Sequence, residues 1–158
     1  NGEQIVLLND ENVNSYLRTE EVGNMASVSS AVPRVREKLL SLQRKLARDM
    51  SVVMDGRDIG TTILPDADVK IYLTASSLTR AKRRYLELQE KGTVCNLDEI
   101  QKDIEERDQR DMNREISPLR QAEDAVLVDS SDLTIQQVVD RILQIFRSKT
   151  AGEKSHES

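Results

Sequence analysis

The stretch DVKIYLTA, residues 68–75, decides the class of fold. Its centre is apolar and lacks the alternation of a half-exposed strand, which is typical of strands buried on both faces of a parallel sheet. Two further stretches have the same character, SVVMD at 51–55 and DAVLVDS at 124–130. Helical segments separate all three. Strands that alternate with helices predict an α/β fold with a mostly parallel sheet.

Four segments have the apolar spacing of amphipathic helices. Their predicted inward residues are Val22, Met25 and Ala26 in the first; Val35, Leu39, Leu42 and Leu46 in the second; Leu78, Ala81, Tyr85 and Leu88 in the third; and Ile135, Val138, Val139, Ile142 and Phe146 in the fourth. Pro33 suits the first turn of the second helix, and Gly92 suits the end of the third. Thr134 and Gln137 have capping-box spacing. Near the N-terminus we expect a short strand and a turn at NDEN, 9–12.

The composition argues against several classes of function. The 158 residues are 37% hydrophobic and 32% charged, which fits one compact domain or one large lobe. A net charge of −5 argues against general nucleic-acid binding. Cys95 is the single cysteine and His156 the single histidine, so neither a disulfide framework nor imidazole chemistry is expected. No membrane-spanning apolar run or signal peptide occurs, so we expect a soluble, cytoplasmic protein without a membrane partner.

The stretch EERDQRDMNR, 105–114, changes the character of a helix face. Ile100 and Ile104 mark an apolar stripe, and steps of three and four continue it to Arg107, Asp111 and Arg114. One interpretation is a solvated helix tip beyond the edge of the core. The other is a polar partner opposite this face, because burying such groups alone costs several kcal/mol.

The stretch DGRDIG, 55–60, follows the predicted strand at 51–55. Ligands of open parallel sheets collect at the carboxyl ends of strands, so Asp55, Arg57 and Asp58 are candidates to hold a polar substrate. Gly56 and Gly60 would allow tight turns. An ordinary turn with a surface ion pair fits this stretch equally well.

Further arginines stand at PRVR, 33–36, and TRAKRR, 79–84. Arg34 and Arg36 in a first helical turn oppose the helix dipole, which an anion nearby would justify, although a solvated helix start explains them too. Residues 80–114 contain nine basic and nine acidic side chains, so Arg80, Arg83 and Arg84 do not belong to a basic stripe. Guanidinium groups match phosphate oxygens, and phosphoryl transfer needs mainly positioning and charge neutralisation. Together with the carboxylates they suggest a nucleotide site.

Five stretches together resemble the bacterial cytidylate kinase family: RTEEVGNMAS, PRVRE, DGRDIGTTILPDADVKIYLTAS, RAKRRYLELQEKG and ERDQRDMNR. The resemblance is collinear from about Glu11 to Phe146. It implies the fold of P-loop nucleoside monophosphate kinases, with a core sheet and a mobile lid. It also implies transfer of the γ-phosphoryl of ATP to CMP or dCMP with Mg²⁺, by a monomer whose partners are nucleotides.

The resemblance implies a role for each matching residue. Ser27, Arg36 and Asp58 would contact cytosine, Arg107 and Asp111 the sugar, Arg57 and Arg114 the monophosphate, and Arg80, Arg83 and Arg84 the transferring phosphates. It also implies a division of the chain into a monophosphate-binding remainder at 1–32, a core at 33–79 and 115–147, a lid with adjoining helices at 80–114, and a disordered tail at 148–158.

One departure from the family pattern is large. No G-x-x-x-x-G-K phosphate loop occurs in the sequence. We therefore expect a family member that lacks its first quarter to third and has little kinase activity alone. The alternatives are a non-catalytic nucleotide-binding or regulatory module and a monophosphate kinase for another base. Coding sequence upstream of Asn1 would distinguish truncation from such a module.

Overall fold

The computed structural model describes residues 4–17 and 19–151, without the side chain of Glu20. The chain forms two compact units, 1–52 and 53–158. His156 and most of the predicted disordered tail lie outside the described residues. No helix in the described ranges is long and apolar enough to cross a membrane.

The first unit begins with a hairpin. Strands β1 (Leu7–Leu8) and β2 (Glu11–Asn12) pair antiparallel. Asn9 and Asp10 connect them with φ of 50° and 68°, the left-handed values that a two-residue turn of this kind requires and that Asn and Asp tolerate. The predicted strand and turn are confirmed.

Two helices follow in the same unit. Helix α1 (Glu20–Ser29) begins after Thr19, whose side chain accepts a hydrogen bond from the Val22 amide at 3.3 Å. Helix α2 (Pro33–Asp49) has proline in its first turn, where the missing amide hydrogen costs nothing. Both predicted helices are confirmed.

The predicted inward faces of these two helices are mostly exposed, although Val22 of α1 is half-buried. The apolar stripe of α2, Val35, Leu39, Leu42 and Leu46, is 39–49% exposed, and Met25 of α1 is 63% exposed. The elements that pack most closely in the described part of the chain are β1 on β2, α3 on α4, β3 on β4 and α5 on β4. A stripe shows which face of a helix suits burial, but only a neighbouring element can bury it.

The second unit contains the predicted parallel strands. Strand β3 (Ile71–Thr74) pairs with β4 (Val126–Asp129) in parallel, with Ile71 opposite Val126 and Thr74 opposite Asp129. Helices α3 (Ser77–Glu90) and α4 (Leu97–Asn113) lie in the connection between the strands and pack on each other. Parallel strands need such a crossover, so the predicted α/β class is confirmed.

The predicted strand at 51–55 is wrong. Residues 51–55 form no strand, and the Val53 side chain is fully exposed. A strand requires a partner for its ladder of hydrogen bonds, and among the described residues β3 pairs only with β4. The apolar pattern indicates that the segment favours a strand, but it does not indicate whether a second strand lies beside it.

The helix ends predicted from local sequence are confirmed. Gly92 has a φ of 71° and follows α3, where the amides of Gly92 and Thr93 donate to the carbonyls of Gln89 and Leu88, each at 2.9 Å. Helix α5 (Ile135–Ala151) begins with the capping box, in which the Thr134 amide donates to the Gln137 side chain at 2.8 Å.

The apolar core of the described part is small. Its buried members are Ile63, Ala75, Ala81, Val128 and Ile145. Ala81 confirms part of the predicted α3 stripe. In α5 the buried residue is Ile145, whereas the predicted Ile135, Val139 and Phe146 are 43–86% exposed. The predicted Val138 and Ile142 are half-buried on the same side as Ile145, so the buried face of α5 overlaps the predicted one only in part. The helix also continues through residues 148–151, where disorder was expected.

Candidate functional site

A π-helical turn, Ile59–Ile63, positions the residues of the DGRD stretch. The carbonyl of Asp58 accepts from the amides of Thr62 at 2.9 Å and Ile63 at 3.2 Å. Such single turns are rare and occur frequently at functional sites. Asp58 is buried, with 6% of its surface exposed, whereas Asp55 is exposed. Gly56 and Gly60 do not use left-handed φ values, so the backbone conformation itself does not require glycine at these positions.

The end of α4 supplies the other half of the site. Asn96 caps the start of this helix by accepting from the amides of Asp98 and Glu99 at 2.8 and 3.2 Å. Further along, the stripe continues through Arg107 to Asp111, which is 4% exposed. Asp111 is therefore buried and does not belong to a solvated helix tip, which was one of the two interpretations of this stretch.

Two ion pairs join these halves. The Arg57 Nε donates to Asp111 Oδ2 at 2.8 Å, and Arg114 Nη2 lies 3.8 Å from Asp58 Oδ1. The Arg114 Nε also donates to the Ser117 carbonyl at 2.6 Å. The structure thus brings together two pairs of residues, and the members of each pair are more than 50 positions apart in the sequence. Arg107 lies one turn before Asp111 on the same helix face.

Two nitrogens of this cluster are buried without a hydrogen-bond partner among the described residues, Arg107 Nε and Arg114 Nη2. Buried donors are nearly always paired, since an unpaired one costs about 1–3 kcal/mol and more when charged. The cluster has three guanidinium groups and two carboxylates, which leaves one positive charge in excess. Its unpaired donors and its charge both suit an anionic ligand that carries further oxygen atoms.

Arg80 of α3 has protein partners. Its Nε donates to the Ala75 carbonyl at 3.1 Å, and its two terminal nitrogens hold both oxygens of Asp108 on α4. The hydrogen bond with Asp108 raises the pKa of Arg80, against the opposing effect of burial. A phosphate contact by Arg80 stays a prediction, and it would require exchange of the Asp108 carboxylate for phosphate.

Arg83 and Arg84 also have partners in the protein. Arg83 donates to the Ser130 hydroxyl at 3.2 Å and the Ser130 carbonyl at 2.6 Å, just beyond β4. Arg84 pairs with Glu87 on the same helix at 2.9 Å. Their predicted role at the transferring phosphates is likewise untested by these contacts.

Two members of the predicted site lie in the first unit. Ser27 is half-buried on α1, and Arg36 on α2 donates to the Ser30 carbonyl at 3.3 Å. Arg34 is exposed. The assignment of Ser27 and Arg36 to a base stays a prediction.

The sequence pattern missed two acidic residues of α4. Glu105 is exposed and accepts from the Ser77 hydroxyl at 2.7 Å, whereas Asp108 is half-buried and holds Arg80. Hydrogen bonds from Gln101 and then Ser77 lower the pKa of Glu105. The sequence signal that could have predicted these contacts is the succession of two helices, α3 and α4. Consecutive helices often pack on each other, and here the packing places the charged side of α4 against α3.

The described residues include no group of three or more His, Cys, Asp or Glu that could hold a metal ion. The acidic groups of the cluster are bound to arginines. No metal ligand is therefore assigned among them.

The chain is similar in sequence to proteins of one known family. Residues 2–148 match the sequence profile of the family described as cytidylate kinase. The chain is 51% identical to the cytidylate kinase of Lactobacillus johnsonii over 148 residues, which cover 94% of this chain and 64% of that protein. It is 51% identical to the cytidylate kinase of Enterobacter sp. (strain 638), covering 95% of this chain and 66% of the relative.

A third relative is similar to the same extent. The cytidylate kinase of Caldicellulosiruptor saccharolyticus is 49% identical over 152 residues, with 96% of this chain and 67% of the relative covered. The chain thus spans about two thirds of the length of these curated relatives. Because the profile match covers almost all of it, the chain belongs to the cytidylate kinase family, and its α/β fold is that of the P-loop nucleoside monophosphate kinases.

Proposed function

We propose that the charged cluster of the second unit binds CMP or dCMP as phosphoryl acceptor, in a protein that uses ATP and releases ADP with CDP or dCDP. The observation that carries this proposal is the pair of buried guanidinium nitrogens without a hydrogen-bond partner among the described residues, Arg107 Nε and Arg114 Nη2, the second of which has only the 3.8 Å ion pair with Asp58. A nucleoside monophosphate has both an anionic group and sugar hydroxyls, and so supplies the acceptors that these nitrogens lack.

The acceptor phosphate is held by Arg57 and Arg114. Arg57 is 43% exposed, so its remaining nitrogens are accessible while its Nε stays on Asp111. Arg114 is 17% exposed and is anchored through its Nε, which leaves Nη2 to donate to a phosphate oxygen. Guanidinium groups fixed in this way bind phosphate with little loss of side-chain freedom.

The sugar is held by Arg107 and Asp111. A buried carboxylate accepts hydrogen bonds from hydroxyl groups, and the Arg107 Nε can donate to a hydroxyl oxygen. Because Asp111 also fixes Arg57, sugar and phosphate recognition share one residue. This sharing orients the acceptor as well as binding it.

The base is recognised in part by Asp58. A carboxylate accepts a hydrogen bond from the exocyclic amine of cytosine, whereas uracil has a carbonyl at that position and would be repelled. Burial of Asp58 to 6% exposure strengthens this discrimination, because water cannot replace the missing contact. The family resemblance assigns Ser27 and Arg36 to the same base.

The chemistry requires no nucleophile from the protein, since the acceptor phosphate attacks the donor. The residues of this chain neutralise and position the acceptor, and Arg80, Arg83 and Arg84 are proposed to contact the transferring phosphates. Mg²⁺ bound with ATP would neutralise donor oxygens. No residue described here is assigned to hold it. The protein is proposed to act as a monomer.

Isothermal titration of the chain with CMP, dCMP, UMP and AMP tests the proposal. We expect CMP and dCMP to bind at least about tenfold more tightly than UMP, since each good base contact contributes about 1–3 kcal/mol. Arg114→Gln should weaken CMP binding, and Arg110→Gln, an exposed change one turn earlier, serves as its control. Equal binding of all four nucleotides, or none at millimolar concentration, contradicts the proposal.

A further inference from the structure

Lys70 lies in the stretch DGRDIGTTILPDADVKIYLTAS, 55–76, which contributes to the family resemblance, yet the proposed function gives it no role. It directly precedes β3, and its side chain is 8% exposed. A buried ammonium group needs partners. It has two: the carbonyl of Pro65, and the carboxylate of Asp124, whose Oδ1 is 2.9 Å away. Asp124 itself precedes β4, so Lys70 is fastened where both strands begin.

The aliphatic part of Lys70 packs under the π-helical turn. A Cβ placed on Gly60 would lie 3.3 Å from Cδ and 3.6 Å from Cγ of Lys70. The backbone of the turn therefore lies directly on the lysine stem, which explains a glycine at this position by close approach. One side chain thus holds the segment twice, with its stem at Gly60 and its ammonium at Pro65.

This segment also fixes Asp58. The amides of Thr62 and Ile63 donate to the Asp58 carbonyl, and the Leu64 amide donates to the Ile59 carbonyl at 2.7 Å. The backbone at Asp58 cannot shift without breaking the turn that Lys70 supports. Arg57, the adjoining residue, depends on the same backbone for its contact with Asp111.

We propose that Lys70 is a positioning residue, which clamps the π-helical turn onto the start of the sheet and thereby sets Asp58 and Arg57 for the acceptor. This inference rests on the proposed function for its ligand, but the clamp itself does not. Loss of the ammonium group should free the turn and displace the Asp58 carboxylate, while the sugar contacts on α4 remain.

Lys70→Met tests the clamp, because methionine keeps much of the stem and removes the charge. Two quantities are measured: hydrogen exchange of the Thr62 and Ile63 amides, and the ratio of CMP to UMP affinity by titration calorimetry. We expect exchange at both amides to become about tenfold faster or more, and CMP binding to weaken about tenfold with a smaller CMP-to-UMP ratio. Lys82→Met, an exposed change on α3, should alter neither quantity.

Two further variants keep the test decisive. Lys70→Arg retains the charge and should restore much of the CMP-to-UMP ratio, which a general loss of stability would not predict. If Lys70→Met does not fold, Asp124→Asn removes one partner at a side chain that is 58% exposed and should produce the same changes in smaller measure.

The outcomes separate the two proposals. Unchanged amide exchange in Lys70→Met, or faster exchange with an unchanged CMP-to-UMP ratio, overturns the role of Lys70. Failure of the unaltered chain to bind CMP overturns the proposed function, and the exchange rates then still decide whether the clamp exists.

Discussion

Replacement of Asp111 by asparagine separates recognition of the sugar from attraction of the phosphate. The side chain of Asp111 is 6% exposed and accepts the 2.8 Å hydrogen bond from Arg57, whose side chain is 43% exposed. Hydrogen bonds to charged groups contribute about 1.5–3 kcal/mol. Asparagine keeps an oxygen acceptor for the sugar hydroxyls but not the charge, so we expect about 1–2 kcal/mol to be lost from CMP binding, or about 5- to 30-fold in affinity.

Inorganic phosphate should behave in the opposite way. Asp111→Asn removes one negative charge near the proposed phosphate position, so free phosphate should bind the variant at least as tightly as the unaltered chain. The ratio of the two dissociation constants, CMP to phosphate, should therefore rise by about tenfold.

Calorimetric titration of both ligands, with circular dichroism to verify folding, measures this ratio. Asp103→Asn, an exposed change on the same helix, is the matched control. A folded Asp111→Asn variant whose CMP affinity stays within about twofold of the original would refute the assignment of the sugar to Asp111.

Three substitutions test the structure outside the site. Gly92→Ala places a Cβ at a φ of 71°, so it should lower the melting temperature by about 2–4 °C for a cost of about 1 kcal/mol, and more than Gly92→Asn; equal melting curves for all three proteins would contradict the helix-end geometry. Ala81→Leu adds a large side chain at a position with no exposed surface and should cost about 1–3 kcal/mol in a urea titration, and an unchanged midpoint would count against the packing of α3. Hydrogen bonds from Lys91 and then Arg84 lower the pKa of Glu87 from 4.5 to about 2, so the ionised form stabilises the fold above pH 4.5 and this contribution disappears as the pH falls toward 2. The melting temperature of Glu87→Gln should fall less between those pH values than that of the control Glu90→Gln. An equal fall in melting temperature for the two variants would exclude this contribution.

The helix ends and the hairpin turn could be predicted from the sequence because their contacts are local. Gly92 ends α3, and Thr134 with Gln137 starts α5, as predicted. The turn at Asn9 and Asp10 also follows the prediction. In each case the deciding contacts join residues within a few positions of one another, so neighbouring residues alone contain the required information.

Packing was predicted less well. The segment 51–55 and the apolar stripe of α2 have suitable patterns, but the described structure provides neither a strand for the first nor a covering element for the second. Hydrophobic periodicity expresses the preference of one element. Burial depends on a second element, whose presence the periodicity of the first cannot report.

The sequence by itself determined the α/β class, the helix ends and the change of a helix face from apolar residues to Arg107, Asp111 and Arg114. Only the tertiary structure decided that Asp111 takes Arg57 as its partner, 54 positions away, and that Asp108 holds Arg80. Helix geometry fixes the direction in which a side chain points within a few residues. The partner of that side chain is fixed by tertiary contacts between segments far apart in the sequence. These contacts bury the charged groups from which the acceptor site is inferred.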